Sequence, residues 1–278
     1  MRYCLIVFMV LISFMGCDII EAPYEETPET NTDTTAKVVL LEEYTGFRCG
    51  NCPAAGEIAH RIKELYPNNV VLLSIHAGAL AMPNPQHKYN FISQTMKELD
   101  AYFNIGWGVG TPNGLVDRVK YNNNLILSES DWQAAVIERL KTPAIAKLEL
   151  SPKYNETNRM INCDVKIKFL ANSNEKFNVA LYVVEDSIVQ YQTDYRKSPP
   201  DIYDFVHNNI VRDALTPTFG VQLNSDAIKK DEEFTKSFSK EIPANADWRP
   251  SWIRIVAVLT VPEQGHAVYQ AAEKYIMK

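Results

Sequence analysis

Cys49-Gly50-Asn51-Cys52 is the segment whose residue types and spacing point most directly to chemistry. Cysteines three residues apart suit a disulfide where a strand passes into a helix, because the bond needs Cα atoms about 4.4 to 6.8 Å apart. The helix dipole there stabilises a thiolate, and such motifs lower the cysteine pKa to about 3.5 to 7.5. Arg48 adds a neighbouring positive charge. The pattern predicts that Cys49 attacks a partner disulfide and that Cys52 resolves the mixed disulfide.

Two other interpretations of the cysteine pair stay open at this stage. The pair can be an inert structural disulfide, or it can be half of a zinc site, which usually needs four ligands. The sequence has no second CxxC, and His60, His76 and His87 have no ligand-like spacing to the motif. We therefore expect no metal site, although copper or zinc stays open because His76 ends a predicted strand and can approach the cysteines.

The segments around the cysteines alternate between strand and helix patterns. The predicted elements are, in order, a strand over 37–44, a helix over 53–66, a strand over 70–75, a helix with Ile92, Met96, Leu99 and Phe103 on one face, a strand near Leu115 and a helix opened by Ser128. Alternation of this kind indicates a mostly parallel or mixed sheet covered on both faces. We expect an α/β domain over residues 38–143.

This order of elements, with Thr111-Pro112 before the third strand, resembles the thioredoxin superfamily. The resemblance implies that Thr111-Pro112 is the superfamily's cis-proline element, which faces the two cysteines and pairs with substrate. It also implies that Glu43, six residues before Cys49, is a buried acid that carries a proton for Cys52. The alternative is that Glu42 or Glu43 simply faces solvent.

The second half of the chain changes to a period of two. Apolar residues alternate with polar ones around Cys163 and Phe238, and further strands are expected at 146–150, 178–184 and 253–261. Several short alternating runs predict an all-β antiparallel sandwich domain over residues 144–278. We expect Cys163 to be a buried free thiol. Residues 201–212 are polar, aromatic and loop-like, and they form either a binding surface or a long hairpin with exposed aromatic side chains. Residues 268–276 fit either a strand or a helix.

The N-terminus has the pattern of a secretory signal. Arg2 precedes about ten apolar residues, and Gly16-Cys17 resembles a bacterial lipobox in which Cys17 becomes the acylated N-terminus. The alternative is an ordinary signal that is cut elsewhere. We expect a lipoprotein signal peptide over 1–17 and an acidic Pro/Thr-rich tether over 18–37, which together anchor the protein to a membrane.

Composition narrows the possible partners. The chain has 278 residues, of which 46% are hydrophobic and 22% are charged, and this excludes wholesale disorder or a multi-span membrane protein. Its net charge of -6 comes largely from the tether, so the rest is near neutral and no nucleic-acid partner is expected. No phosphate loop, paired catalytic carboxylates or Ser/His/Asp-type elbow is recognisable in the sequence, so no cofactor is expected.

The whole chain also resembles a closer family. The lipobox, the acidic tether, the string Thr45-Gly46-Phe47-Arg48-Cys49-Gly50-Asn51-Cys52-Pro53 and the later His207-Asn208-Asn209 are similar to the Bacteroidetes outer-membrane lipoprotein family named for a mass near twenty-eight kilodaltons. The resemblance implies an outer-membrane lipoprotein, at the periplasmic or the surface face, with an α/β thioredoxin-like domain followed by a β-sandwich.

Two functions follow from these expectations. The first is an anchored thiol–disulfide oxidoreductase that acts on protein thiols or disulfides of the envelope or the exterior. Its site residues are Cys49, Cys52, Glu43, Thr111 and Pro112. The second is a surface binding or adhesion lipoprotein, in which the thioredoxin-like fold is a redox-inert scaffold and the Cys49–Cys52 disulfide is a structural link.

Overall fold

The structure is a computed structural model that describes residues 36–277. The expected signal peptide, the expected lipid attachment at Cys17 and the expected tether up to residue 35 lie outside the described residues. Lys37, the last residue of the expected tether, belongs to the folded part, since its buried ammonium group lies 2.8 Å from the Asp117 carboxylate.

The first part of the fold alternates strands and helices, as the sequence predicts. Its elements are β1 (Val39–Thr45), α1 (Cys52–Leu65), β2 (Val70–His76), α2 (Gln94–Phe103), β3 (Asn113–Val116) and α3 (Glu129–Leu140). β1 and β2 are buried along their whole length because their apolar runs face packed layers on both sides. Ser93 ends the loop before α2 by accepting a hydrogen bond from the backbone N–H of Met96.

The rest of the chain forms strands. They are β4 (Ala146–Asn155), β5 (Met160–Phe169), β6 (Asn178–Glu185), β7 (Ile188–Thr193), β8 (Asp201–His207), β9 (Ile210–Ala214), β10 (Val221–Gln222), β11 (Glu233–Glu241), β12 (Ile253–Val261) and β13 (Ala267–Tyr275). Residues 201–207 form β8, the second strand of a hairpin with β7, as the hairpin alternative for 201–212 expects. Residues 210–212 belong to β9, which pairs with β6 and β2 instead. The undecided segment near the C-terminus is a strand, since β13 pairs with β12 over its length.

One mixed sheet of eight strands runs through most of the described chain, in the order β13-β12-β6-β9-β2-β1-β3, with β10 on β6. β1 is parallel to β2 and antiparallel to β3. β4, β5 and β11 form a separate antiparallel sheet, and β7 pairs only with β8. The fold is therefore mostly β, with a mixed sheet and smaller antiparallel sheets.

The main sheet takes strands from both sides of residue 144. β2, from the first half, meets β9, from the second half, through the Ser74–Ile210 pair, and the Ser74 backbone N–H donates to the Asn209 carbonyl over 2.7 Å. The division into domains over 38–143 and 144–278 stays a prediction, and in the structure the two halves share this sheet.

Three apolar clusters hold the layers together. The α1 and α3 helices cover one face of β1 and β2 through a cluster that contains Trp132 and Ile62. The opposite face packs on α2 in a cluster with Phe47, Phe91 and Met96, which extends along the sheet to β6 and β12. The three-stranded sheet covers the other face of β6 and β12. Cys163 lies in this last cluster as a buried free thiol, as predicted, and burial raises its pKa to about 11.

Candidate functional site

A tight turn between β1 and α1 holds the two cysteines. The Cys49 backbone N–H donates to the Gly46 carbonyl over 2.9 Å, and the Cys52 N–H reaches the Cys49 carbonyl over 3.3 Å. Helix α1 begins only at Cys52, with Pro53 in its first turn. Cys49 therefore lies ahead of the helix and Cys52 is its first residue, at the junction of strand and helix where the sequence places them. The two are joined by a disulfide with a Cα–Cα distance of 5.4 Å.

The Thr111-Pro112 loop lies directly beside this disulfide. The Cys49 sulfur is 3.7 Å from the Thr111 carbonyl oxygen, although 62 positions separate the two residues. The Thr111–Pro112 peptide bond is cis. The fold thus brings Cys49, Cys52 and the Thr111-Pro112 loop together. The reason is that β3, which follows the loop, pairs with β1, which precedes the cysteines.

Glu43 lies beside Gly56 of α1, and within residues 36–277 no cation acts on its carboxylate. Its carboxylate accepts a 3.4 Å hydrogen bond from the Ser74 hydroxyl, and a methyl group added at Gly56 would lie 3.4 Å from its Oε1 atom. Burial raises the pKa of Glu43 to about 7, and the hydrogen bond from Ser74 opposes this only in part. The residue lines a cavity of about 200 Å³ that Cys52 also lines.

Glu42, the neighbour of Glu43, has a different environment. It is fully buried and forms a two-fold hydrogen-bonded ion pair with Arg118, whose Nε and Nη2 atoms lie 2.8 and 2.7 Å from the carboxylate oxygens. Arg118 also donates to the Tyr182 hydroxyl over 3.1 Å. Both acids are buried, so the alternative that Glu42 or Glu43 faces solvent is wrong.

His76 and His207 line the same cavity, and sequence reasoning gave no role to His207. The His76 ring stacks on Phe91 at 4.2 Å, and neither of its nitrogens has a hydrogen-bond partner among the described residues. Burial, followed by the repulsion of His207, holds the pKa of His76 well below 6.5. Burial also lowers the pKa of His207 to about 4. The two imidazoles are therefore neutral at physiological pH.

The remaining histidines lie in other environments. His60 is exposed on α1 beside Glu64, and His87 stacks on Tyr191 at 3.5 Å. Within residues 36–277, no three or more His, Cys, Asp or Glu side chains are grouped so that they could hold a metal ion.

The Arg48 side chain contacts the loop that follows β2. Its Nη2 atom donates to the Ala79 carbonyl, and its guanidinium lies 6.0 Å from the centre of the Phe47 ring. The expectation that its charge lowers the pKa of a Cys49 thiolate stays a prediction.

Residues 192–195, at the end of β7, lie across the cysteine turn, which sequence reasoning did not foresee. The Thr193 and Tyr195 backbone N–H groups donate to the Phe47 and Gly50 carbonyls, each over 2.9 Å. Both cysteines are 2% exposed. No local sequence pattern signals such a contact, since about 145 positions separate the partners.

Fold and site together define a mostly β protein in which a disulfide-bonded CxxC turn joins a strand to a helix. The chain belongs to the family Outer membrane protein Omp28, whose family model matches residues 97–278. The match begins after the cysteine turn. No curated protein matches the chain. In residues 36–277, no helix has the length and apolar character needed to cross a membrane.

Two solved structures have a similar fold. HBP35 of Porphyromonas gingivalis aligns with a TM-score of 0.67 and 18% identity, covering 88% of this chain and 76% of its own. Protein AGR_C_4864 from Agrobacterium tumefaciens aligns with a TM-score of 0.53 and 15% identity, covering 87% of this chain and 96% of its own. At these identities the likeness concerns the fold alone.

Proposed function

We propose that the protein is an outer-membrane-anchored lipoprotein that carries out thiol–disulfide exchange on envelope or extracellular proteins. Cys49 and Cys52 are the reacting residues, Glu43 carries the proton, and the Thr111-Pro112 loop docks the partner polypeptide. In this proposal the strands and helices up to α3 form a thioredoxin-like module, and the later strands form a β-sandwich beside it.

The observation that carries this proposal is the environment of Glu43. A structural disulfide has no need of a buried acid, and burying a carboxyl group without a cation destabilises a fold. Here such an acid lines the cavity that reaches Cys52, and its pKa of about 7 suits it to give and take protons at neutral pH. A proton relay for the resolving thiol accounts for both facts.

The exchange moves two electrons between the protein dithiol and a partner disulfide. The Cys49 thiolate attacks one partner sulfur, the partner S–S bond breaks, and the leaving partner thiolate takes up a proton. Glu43 then accepts the proton of the Cys52 thiol. The resulting Cys52 thiolate attacks the Cys49 sulfur and closes the Cys49–Cys52 disulfide as the mixed disulfide bond breaks. The second partner sulfur leaves as a thiolate and takes up a proton, and Glu43 gives its proton back to solvent. The same steps in reverse oxidise a partner dithiol.

Family membership and the N-terminal sequence pattern support the proposed location. The Omp28 family is one of outer membrane proteins. Acylation at Cys17 would hold the protein to the membrane, because two or more acyl chains give stable anchoring. We propose that the protein works at the cell envelope, at the periplasmic or the surface face of the outer membrane.

A direct test is the reduction of insulin, or the oxidation of a dithiol peptide, by the purified protein. We expect turnover that is lost in Cys49→Ser. We expect Glu43→Gln to retain some turnover but to lose the pH dependence centred near neutral pH. If the wild-type protein is no more active than Cys49→Ser in both directions, the proposal is wrong.

A second candidate function is surface binding or adhesion with a redox-inert disulfide. The burial of both cysteines under residues 192–195 favours it, since an inert disulfide needs no access to solvent. The reduction potential separates the two functions. A disulfide more reducing than about -300 mV behaves as structural, and a readily reduced one does not.

A further inference from the structure

The strand pair β7–β8 and its connecting loop, residues 188–207, form an arm that lies over the cysteine turn. The arm contacts the turn through two backbone hydrogen bonds. The N–H groups of Thr193 and Tyr195, two residues apart, point to one side and donate to the Phe47 and Gly50 carbonyls over 2.9 Å. One edge of an extended polypeptide presents its N–H groups at this spacing.

Side chains of the arm complete the cover. The Gln192 amide donates to the Cys49 carbonyl over 3.0 Å. The Tyr195 ring lies flat on Gly50, so closely that a methyl group added at Gly50 would be 2.4 Å from the ring. Only glycine at this position permits the contact. The arm therefore occupies the carbonyl groups of Phe47, Cys49 and Gly50 and the surface of Gly50 between the two cysteines.

An ion pair between Arg196 of the arm and Glu57 of α1, which we call the clasp, holds the arm over the cysteine turn. The Arg196 guanidinium donates to both carboxylate oxygens of Glu57 on α1, over 2.7 and 2.8 Å, and to Asp194 over 2.7 Å. Two parallel hydrogen bonds fix the geometry of such a pair. Glu57 is exposed, however, so water and salt weaken the attraction.

Little apolar surface holds the tip of the arm in place. Tyr195 remains 68% exposed although one face of its ring lies on Gly50. The tip is therefore attached mainly by hydrogen bonds and surface ion pairs. Segments held in this way open at a low free-energy cost compared with the buried strands.

We propose that residues 192–196 close the Cys49–Cys52 face, and that a partner polypeptide must displace them before exchange. This proposal rests on the proposed function, because it assumes that a partner exchanges a disulfide with Cys49 and Cys52. The partner that fits is an extended segment with unpaired backbone N–H groups and an aromatic side chain that can lie on Gly50.

The test is the rate at which dithiothreitol reduces the Cys49–Cys52 disulfide in the full protein. Dithiothreitol supplies both electrons, becomes a cyclic disulfide and leaves two thiols on the protein. We expect Arg196→Gln to speed the reduction about threefold and the double variant Tyr195→Ala/Arg196→Gln about tenfold, since each loosens the closed arm. Lys153→Gln, an exposed residue of β4 outside the arm, is the control and should leave the rate unchanged.

Two further measurements distinguish opening of the arm from misfolding of the arm variants. Glu57→Gln breaks the same clasp from α1, leaves the arm sequence intact and should also give about a threefold increase. A peptide with the sequence of residues 190–197 should slow the reduction of the double variant, whereas a scrambled peptide should not. If Glu57→Gln and Arg196→Gln both reduce at the wild-type rate, or if the peptide has no effect on the double variant, the proposal is wrong.

The outcome separates this proposal from the proposed function. Reduction by a small dithiol measures access to the disulfide and requires no protein partner. Unchanged rates together with insulin reductase activity would overturn only the arm proposal. Accelerated rates without activity on any protein disulfide, even in the double variant, would overturn the proposed function and leave the arm as a removable cover.

Discussion

Glu42 and Glu43 are adjacent in β1, yet one is paired with a buried arginine and the other has no cation beside it. Successive side chains of a strand point to opposite faces, so the Glu42 carboxylate meets Arg118 on one face while that of Glu43 lies beside Gly56 of α1 on the other. Substitution of Glu42 should lower the free energy of unfolding, and substitution of Glu43 should raise it at high pH.

The first prediction concerns Glu43. Burial raises its pKa from 4.5 to about 7, so the folded state binds a proton that the unfolded state has lost between these values. Its contribution to stability is complete below pH 4.5 and is lost as the pH rises through 7. We expect Glu43→Gln to raise the free energy of unfolding at pH 8 by up to about 3 kcal/mol and to change it little at pH 4.5. Urea unfolding at the two pH values measures this, with Glu156→Gln, in the exposed turn between β4 and β5, as the control. A variant that is less stable than wild type at pH 8 would contradict it.

The second prediction concerns Arg118. Arg118→Met leaves the Glu42 carboxylate buried without its partner, so we expect a loss of about 3 to 5 kcal/mol in the free energy of unfolding. Lys166→Met removes an exposed ion pair with Glu233 and should leave the free energy of unfolding almost unchanged. The double variant Glu42→Gln/Arg118→Met should be more stable than Arg118→Met alone. Equal losses in these two variants would argue against an uncompensated charge as the cause.

The third prediction concerns acid sensitivity. Burial lowers the pKa of His207 to about 4, so its stabilising contribution is present above pH 6.5 and is lost as the pH falls towards 4. Between pH 5 and 6.5 this makes stability rise by about 1.4 kcal/mol per pH unit, opposite in sign to the effect of Glu43. We expect His207→Gln to flatten the pH profile of the unfolding free energy and Glu43→Gln to make it steeper. Parallel profiles for wild type and both variants would refute this.

The fourth prediction concerns Cys163. Burial raises the pKa of its thiol to about 11, so both access and ionisation are low at neutral pH. We expect the variant that lacks Cys49 and Cys52 to show one more thiol reactive with Ellman's reagent in denaturant than in buffer. Cys163→Ala should abolish this difference. A fast reaction of Cys163 in buffer would show that the strands around it open readily.

Local patterns were sufficient to predict the elements that hold the cysteine turn. The apolar runs of β1 and β2 and the helical spacing after Pro53 each lie within one element, so short windows reveal them. The strands around Cys163 follow for the same reason, since their period of two matches one buried face.

Long-range contacts explain what the sequence did not reveal. The β8 strand is exposed along most of its length and pairs only with β7, so its residues lack the apolar alternation that identifies a strand. The environment of Glu42 depends on Arg118, 76 positions away, and the cover over Cys49 depends on Gln192, 143 positions away. No spacing rule links such residues.

The burial of Lys37 also has a mechanical consequence. Lys37, two positions before β1, is tied to Asp117 by its ion pair. β1 is the strand that leads into the cysteine turn. β1 is flanked by β2 and β3, and strand-to-strand hydrogen bonds run across the strand direction. Tension applied to the chain ahead of Lys37 would load both rows of bonds in shear, so many would have to rupture together. A protein pulled from its N-terminal side would yield last at the strand that precedes its disulfide.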